Sequence, residues 1–280
     1  MDMTKNPTFH TRVAMTLFLL ILTILAPTSK AWADYVKYIN KDGVEKNDLN
    51  ATKLNGSNSA TTLSGVYFVN SNTTANYLDK ITLNGDVTII LCDGATLNIG
   101  TNQNPLSGPC IDGGNNSLTI YDQTNQTGTI NIYCSSSSHI SLDGSYNQYG
   151  GNVNLNGTYD EYGITLSGNS KTHTLTRGSL TINNGTGASA AINLSGNNSH
   201  INISGGTLTT TNPRVVTAIT ISKSTSSINM SGGVLTVTGS NSGIQGNVTM
   251  SGGVLTATSE GCGIWISRSE ERRVGKECRS

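Results

Sequence analysis

Five of the chain's 10 tyrosines crowd into one short stretch, although only 5% of the sequence is aromatic. A tyrosine ring offers an apolar face and a hydroxyl group, and a sugar ring offers matching C–H faces and hydroxyls. Together with a neighbouring carboxylate, these side chains predict a carbohydrate-binding site. The predicted site residues are Tyr133, Tyr146, Tyr149, Tyr159, Tyr162 and Asp160. An alternative stays open, in which the rings pack a loop onto the wall of the fold.

Four aspartates could supply oxygen ligands to a metal ion. Asp93, Asp112 and Asp143 each precede a glycine, and Asp122 follows an alternating apolar stretch. Calcium takes roughly six to eight oxygen ligands, and turns stacked side by side could gather them. Calcium is therefore the one cofactor that the pattern allows. Asp-Gly is also ordinary turn chemistry, and that alternative is favoured.

No group of residues in the sequence predicts catalysis. A glycoside hydrolase needs two closely placed carboxylates, but the adjacent pair Asp160 and Glu161 would face opposite ways in a strand. Arg177 and Arg214 have no acidic neighbours in the sequence. Three histidines stand singly among polar residues and are predicted to face solvent or to stack on neighbours: His139, His173 and His200. No catalytic residue is assigned.

The cysteines match no compact zinc-binding pattern. Cys92, Cys110 and Cys134 are widely spaced in the sequence, whereas zinc ligands come in pairs a few residues apart. Their spacings resemble one turn of a repeating fold, so the three are predicted to be buried core thiols. A disulfide bond is the alternative.

A short phrase repeated three times predicts the fold that positions these residues. It begins at Ile201, Ile228 and Val248, and each copy contains Ser-Gly-Gly-x-Leu-Thr. Periods of roughly 20–50 residues are typical of solenoids. Apolar residues alternate on both sides of the glycines, which indicates two short strands joined by a sharp corner. The repeat predicts an all-β protein, a right-handed single-stranded parallel β-helix with almost no helix after the N-terminus.

The chain divides into four predicted segments. Residues 1–33 have basic residues, a short apolar run and an Ala-x-Ala end, which predict a secretory signal peptide. Residues 34–64 are predicted to be a leader and N-terminal cap, and residues 65–267 the β-helix. Within it, Ser135 to Gly157 lacks clean alternation and is predicted to be a protruding loop. Residues 268–280 are predicted to be a non-native or disordered tail.

Strand and turn phrases in the first half of the β-helix resemble a known family. The phrases are Lys80-Ile-Thr-Leu-Asn-Gly-Asp-Val-Thr-Ile-Ile-Leu and Ser117-Leu-Thr-Ile-Tyr-Asp-Gln. They are similar to the secreted, carbohydrate-binding-domain-containing β-helix proteins of anaerobic bacteria, which are pectate-lyase-like. The resemblance implies a right-handed parallel β-helix that binds acidic plant polysaccharide with calcium. The tail resembles translated sequencing-adapter DNA, so we expect the natural protein to continue beyond Ser267.

Charge and composition narrow the expected partners. Residues 34–267 hold 13 acidic and 9 basic residues, a net charge of −4, without a cluster of lysine and arginine. This argues against nucleic acid as a partner, and no segment after the N-terminus is apolar enough to span a membrane. We expect a secreted or cell-surface, adhesin-like protein that binds polysaccharide without catalysis, with outward Thr, Asn and Ser forming a long neutral ladder. The alternatives are a pectin lyase or hydrolase and a structural surface stalk.

Overall fold

The computed structural model describes residues 34–158, 162–184, 189–210 and 216–265. These residues form strands and turns, and none of them belongs to a helix that could cross a membrane. The predicted signal peptide, the predicted tail and the residues Tyr159, Asp160 and Glu161 lie outside the described residues.

The described residues contain 24 strands. They are β1 (Asp34–Ile39), β2 (Glu45–Lys53), β3 (Thr61–Val69), β4 (Thr74–Tyr77), β5 (Ile81–Leu91), β6 (Thr96–Ile99), β7 (Leu106–Ser107), β8 (Ile111–Gly114), β9 (Leu118–Asp122), β10 (Thr129–Ser136), β11 (Ser138–Leu142), β12 (Tyr146–Gln148), β13 (Asn152–Gly157), β14 (Tyr162–Leu166), β15 (Thr172–Leu175), β16 (Ser179–Asn183), β17 (Ala190–Leu194), β18 (His200–Ile203), β19 (Thr207–Thr210), β20 (Thr217–Ile221), β21 (Ser227–Thr238), β22 (Ser242–Gln245), β23 (Asn247–Thr258) and β24 (Cys262–Trp265).

Three parallel sheets wind around one core, and each coil of the chain visits them in turn. The first sheet stacks the start of β3, the start of β5, β8, β11, β14, β17, β20, β22 and β24. The second stacks the ends of β3 and β5, then β9, β12, β15, β18 and the starts of β21 and β23. The third stacks β4, β6, β10, β13, β16, β19 and the ends of β21 and β23. The predicted parallel β-helix is confirmed.

Alternating residues point inward and build the core in columns. In the first sheet, eight isoleucines follow one another in register, and seven of them are at most 2% exposed. They are Ile81, Ile111, Ile140, Ile164, Ile192, Ile219, Ile244 and the partly exposed Ile264. Burying one such side chain contributes about 1.5–3 kcal/mol, so each coil is stabilised by the neighbours on which it stacks.

The glycines of the repeated phrase turn the corner between the second and third sheets. Gly233 and Gly253 have φ angles of 71° and 86°, a region that residues with a Cβ rarely adopt. A Cβ on Gly233 would also lie 2.7 Å from the carbonyl oxygen of Gly205 in the preceding coil. The phrase therefore encodes the corner, as predicted.

The segment Ser135 to Gly157 is not a protruding loop, so that prediction is wrong. It continues the coils through β10, β11, β12 and β13. Its alternation is hidden because two inward positions hold polar residues, Tyr146 and Gln148, both 0% exposed. The Tyr146 hydroxyl donates to Gln148 Oε1 at 3.0 Å, and Gln148 Nε2 donates to the carbonyls of Gly151 at 3.0 Å and Ser179 at 2.8 Å. These bonds replace the water that the side chains lose.

Two of the three cysteines predicted to be free thiols form a disulfide bond. Cys110 and Cys134 are joined, with a Cα–Cα distance of 6.4 Å, and both are completely buried. Their separation of 24 residues is close to one coil, which brings their side chains onto neighbouring levels. Cys92 is buried and free, as predicted.

The N-terminal part of the described chain leaves the parallel pattern. β1 and β2 form an antiparallel hairpin, and the last two residues of β2, Thr52 and Lys53, pair in parallel with β3. The hairpin is thus continuous with the first coil. Its other strand, β1, runs outside the second sheet near β9.

Candidate functional site

A cleft opens where the hairpin lies against the coils. Gln123 follows β9, and its Nε2 donates a hydrogen bond to the carbonyl oxygen of Lys37 in β1 at 3.0 Å. The space beside this bond, called here the hairpin cleft, has a volume of about 160 Å³. It is lined by Lys37, Tyr38, Ile39, Glu45, Asp93, Gln123 and Thr124. Enclosed small-molecule pockets measure roughly 300–1,000 Å³, so this cleft suits one unit of a longer ligand that extends along the surface.

Three tyrosine rings line up at the hairpin. Tyr38 and Tyr121 have ring centroids 4.8 Å apart and tilted by 52°, and Tyr121 and Tyr149 are stacked at 5.2 Å with 20° between their planes. Tyr121 and Tyr149 lie on consecutive coils, because the Tyr149 N–H donates to the carbonyl of Ile120 at 2.8 Å. Burial raises the pKa of both Tyr121 and Tyr149, so their hydroxyls stay protonated and able to donate. We call this group the tyrosine stack.

Hydrogen-bonding groups also line the hairpin cleft. The Asp93 carboxylate accepts from Asn125 Nδ2 at 3.0 Å and from Thr127 Oγ1 at 3.4 Å. The Gln123 amide oxygen accepts from the Asp93 N–H at 2.9 Å. Carboxylate and amide groups fixed in this way can exchange hydrogen bonds with sugar hydroxyls.

An ion pair borders the cleft on the hairpin side. Lys37 Nζ lies 2.9 Å from Glu45 Oε1, and their side chains are 62% and 50% exposed. An exposed pair of this kind contributes little to stability, about 0–1 kcal/mol. Both side chains therefore remain available to a ligand.

The predicted tyrosines do not form one cluster. Tyr146 is completely buried with its ring edge-on to His173 at 4.9 Å, so no surface ligand reaches it. Tyr133 lies in β10 of the third sheet and Tyr162 in β14 of the first sheet, each partly exposed. Tyr149 alone among them belongs to the tyrosine stack, while Tyr159 and Asp160 lie outside the described residues.

The four predicted metal-binding aspartates each have partners of their own. The Asp122 carboxylate is buried, pairs with the Arg177 guanidinium, and accepts from the Gly151 N–H at 2.8 Å. Asp143 accepts from Ser167 Oγ, and Asp112 accepts from the Gly114 N–H at 3.3 Å. In the described part of the chain, no three His, Cys, Asp or Glu side chains come together as metal ligands would. Among the described residues, the structure therefore does not bring three of these four aspartates together at one point.

Sequence reasoning missed the partner of Arg177. That arginine pairs with Asp122, which lies 55 residues earlier in the chain and two coils away, because β9 pairs with β12 and β12 pairs with β15. Burial raises the pKa of Asp122, while the Gly151 N–H and the Arg177 charge oppose that rise. The pair is a structural element of the coil corner.

Two histidines lie in the core, which corrects the expectation that they face solvent. His139 and His173 are both 0% exposed. Burial lowers the pKa of His173 to about 3, and it lowers that of His139 to about 4 despite hydrogen bonds to the backbone of Asn156 and Tyr162. Inside the core, His173 and Tyr146 meet edge to face. His200 is partly exposed and its Nδ1 lies 2.9 Å from Ser227 Oγ.

The outer surface of the third sheet is the second candidate surface. Two columns of outward side chains run along it through eight strands, and we call this surface the ladder face. One column holds Thr74, Thr96, Thr129, Asn152, Ser179, Thr207, Val234 and Val254. The other holds Asn76, Asn98, Asn131, Asn154, Thr181, Thr209, Thr236 and Thr256. The predicted neutral ladder is present here.

Comparison with known proteins finds no matching family model and no significant match among curated proteins or solved structures. Function is therefore inferred from the two surfaces themselves.

Proposed function

We propose that this is a non-catalytic, extracellular or cell-surface protein that binds polysaccharide, with the hairpin cleft as a sugar-binding site. The observation that carries the proposal is the tyrosine stack beside a cleft with fixed hydrogen-bonding groups, in which Tyr121 and Tyr149 are partly exposed and Tyr38, 9% exposed, packs against Tyr121. Aromatic faces suit the C–H faces of sugars, and amide and carboxylate groups suit their hydroxyls. The resemblance to carbohydrate-binding β-helix proteins points the same way.

The open shape of the cleft favours a polymer over a small metabolite. The cleft is too small to enclose a ligand, and it borders on long polar strands. A polysaccharide can place one sugar in it and run on over the coils. Binding of this kind needs no acid–base pair.

Glycan titration of the protein tests the proposal. The probes are cello-, xylo- and galacturono-oligosaccharides, each with and without calcium chloride, and binding is measured by calorimetry. Tyr149→Ala should weaken binding of the preferred oligosaccharide roughly tenfold, about 1.4 kcal/mol, because a stacked ring is lost. Tyr133→Ala, a partly exposed tyrosine of the third sheet, is the matched control and should leave affinity unchanged. Equal affinity for both variants and the parent protein would exclude the hairpin cleft.

A second candidate function is hydrolysis or lysis of the bound polysaccharide. It is favoured by one observation, which is that two carboxylates, Asp93 and Glu45, line the same cleft. Paired carboxylates cleave glycosidic bonds when suitably spaced. Release of reducing or unsaturated sugars from pectin or xylan, lost in Asp93→Asn and in Glu45→Gln, would establish it.

A further inference from the structure

The ladder face is regular in both directions of its plane. Neighbouring strands of a sheet lie about 4.8 Å apart, and every second residue of a strand is roughly 6.6–6.8 Å further along. The pairing between the strands of this face shows no register shift from β4 to the end of β23. In the first sheet, by contrast, the pairing of β8 with β11 is shifted between Ser141 and Leu142. The two columns of the ladder face therefore form a lattice about 34 Å long over seven steps.

Hydrogen bonds along the columns hold the side chains in place. Asn98 Nδ2 donates to Asn76 Oδ1 at 2.8 Å, and the same bond joins Asn131 to Asn98 and Asn154 to Asn131, each at 2.9 Å. In the other column, Ser179 Oγ donates to Asn152 Oδ1 at 2.8 Å. Groups fixed before binding lose little conformational entropy when a ligand arrives.

The ladder face carries no charge. Of its sixteen outward positions, fourteen are Thr, Asn or Ser and two are Val, and no strand segment of this sheet contains a charged residue. An acidic polysaccharide would find no cation here, and a nucleic acid no basic stripe. The complementary partner is uncharged, hydroxyl-rich and itself periodic.

We propose that the ladder face adsorbs to the surface of a crystalline neutral polysaccharide. The inference rests on the proposed function, because it takes polysaccharide as the ligand, but it uses a different face and a different physical form of the ligand. A rigid array gains most from a rigid partner, since only a partner with a fixed repeat can meet many positions at once. A flexible soluble chain would lose conformational entropy at each strand of the ladder face that it contacted. The hairpin cleft would then engage single chains and the ladder face their packed form.

Substitutions that place charge in the lattice test the proposal. The double variant Thr209→Lys/Thr236→Lys puts two long cations side by side on β19 and β21 of the ladder face. The matched control is Asn193→Lys/Thr220→Lys, which changes two consecutive outward positions of the first sheet. All are made in the full chain, and circular dichroism and thermal unfolding verify that they fold.

The measurement is partition of the protein onto crystalline cellulose and crystalline chitin in suspension. The ladder variant should bind at least tenfold more weakly than the parent, and the control variant should bind like the parent. Equal loss in both variants, or no loss in either, overturns the inference. So does adsorption of the parent protein to ice crystals with none to either polysaccharide, which would assign the lattice to ordered water.

Failure of this inference is distinguishable from failure of the proposed function. Tyr149→Ala should bind soluble oligosaccharide roughly tenfold more weakly and keep its adsorption to the crystalline solid. If the ladder variants leave adsorption intact while Tyr149→Ala abolishes it, the cleft binds both forms and the ladder face binds neither.

Discussion

At the scale of the residue, His173 makes the folded protein sensitive to acid. Its ring is completely buried against Tyr146, and burial lowers its pKa to about 3 from an ordinary value of 6.5. The folded state therefore holds the neutral ring while the unfolded state takes up a proton below pH 6.5. Stability is intact above pH 6.5 and falls as the pH decreases toward 3, by about 1.4 kcal/mol for each pH unit. His139 adds a similar loss down to about pH 4.

We predict that His173→Phe flattens this dependence. The phenyl ring keeps the aromatic contact and cannot be protonated. Urea unfolding at pH 7.5, 6, 5 and 4 should show a smaller decrease in the free energy of unfolding than in the parent protein. His200→Asn, which removes a partly exposed histidine, should retain the parental decrease. A parental decrease in His173→Phe would show that other groups control the acid response.

The buried pair of Asp122 and Arg177 gives a second prediction at this scale. Arg177→Met leaves the Asp122 carboxylate buried with the Gly151 N–H as its remaining donor. Leaving such a charge unpaired costs about 3–5 kcal/mol. The loss relative to the parent should shrink as the pH is lowered from 7 to 5, because the unpaired Asp122 then protonates in the folded state.

Chemical denaturation at each pH measures that loss. Lys171→Met, in the turn before β15, serves as a control and should change stability by less than about 0.5 kcal/mol. Adding Asp122→Asn to Arg177→Met should restore part of the stability at pH 7. A double variant as unstable as Arg177→Met alone would contradict this account.

At the scale of the element, each strand is stabilised by one inward column and tolerates change on its outward side. We predict that Ile192→Ala costs about 2–5 kcal/mol, because the cavity lies between Ile164 and Ile219 in the stacked column. The outward neighbour change Asn193→Ala should cost less than about 0.5 kcal/mol. Thermal unfolding compares the two. Similar losses would indicate that the column is not the main source of coil stability.

Some elements of this fold can be predicted from the sequence and others cannot. The repeated Ser-Gly-Gly phrase predicts the corner because Gly233 has both a positive φ angle and a close backbone contact. The same reasoning fails at β12, where Tyr146 and Gln148 occupy inward positions and hide the apolar period. Cys110 and Cys134 have a spacing that fits either a bridge or two thiols, since one coil brings them together in both cases.

The candidate site was only partly visible in the sequence for a related reason. Tyr121 and Tyr149 are separated by the length of one of the longer coils, a spacing that could have predicted their stacking. The approach of Tyr38 depends on how the hairpin folds back on the coils, over a separation that no local pattern encodes. Asp93 is predicted from the sequence to be a calcium ligand or a turn residue, and its place in the hairpin cleft follows from the docking of the hairpin.

At the scale of the whole molecule, the stacked coils have an interior of apolar columns, which stabilise the fold, and an exterior of polar columns, which faces solvent. Nine strands succeed one another in the first sheet of the described residues. The hairpin cleft lies against the second and third of these levels, and the ladder face runs through eight of them. Local sites and an extended surface thus share one scaffold.

The repeated corner has a consequence for inheritance. The hexapeptide Ser-Gly-Gly-Val-Leu-Thr occurs twice, beginning at Ser231 and at Ser251, and β21 and β23 pair residue by residue after each corner. Recombination between the two copies would remove or add one whole coil, and the sequence at the junction would be the same hexapeptide as before. Descendants of such a gene would differ in the number of coils while every surviving strand kept its neighbours. Length, and with it the reach of the ladder face, is then a trait that unequal crossing-over can adjust one coil at a time.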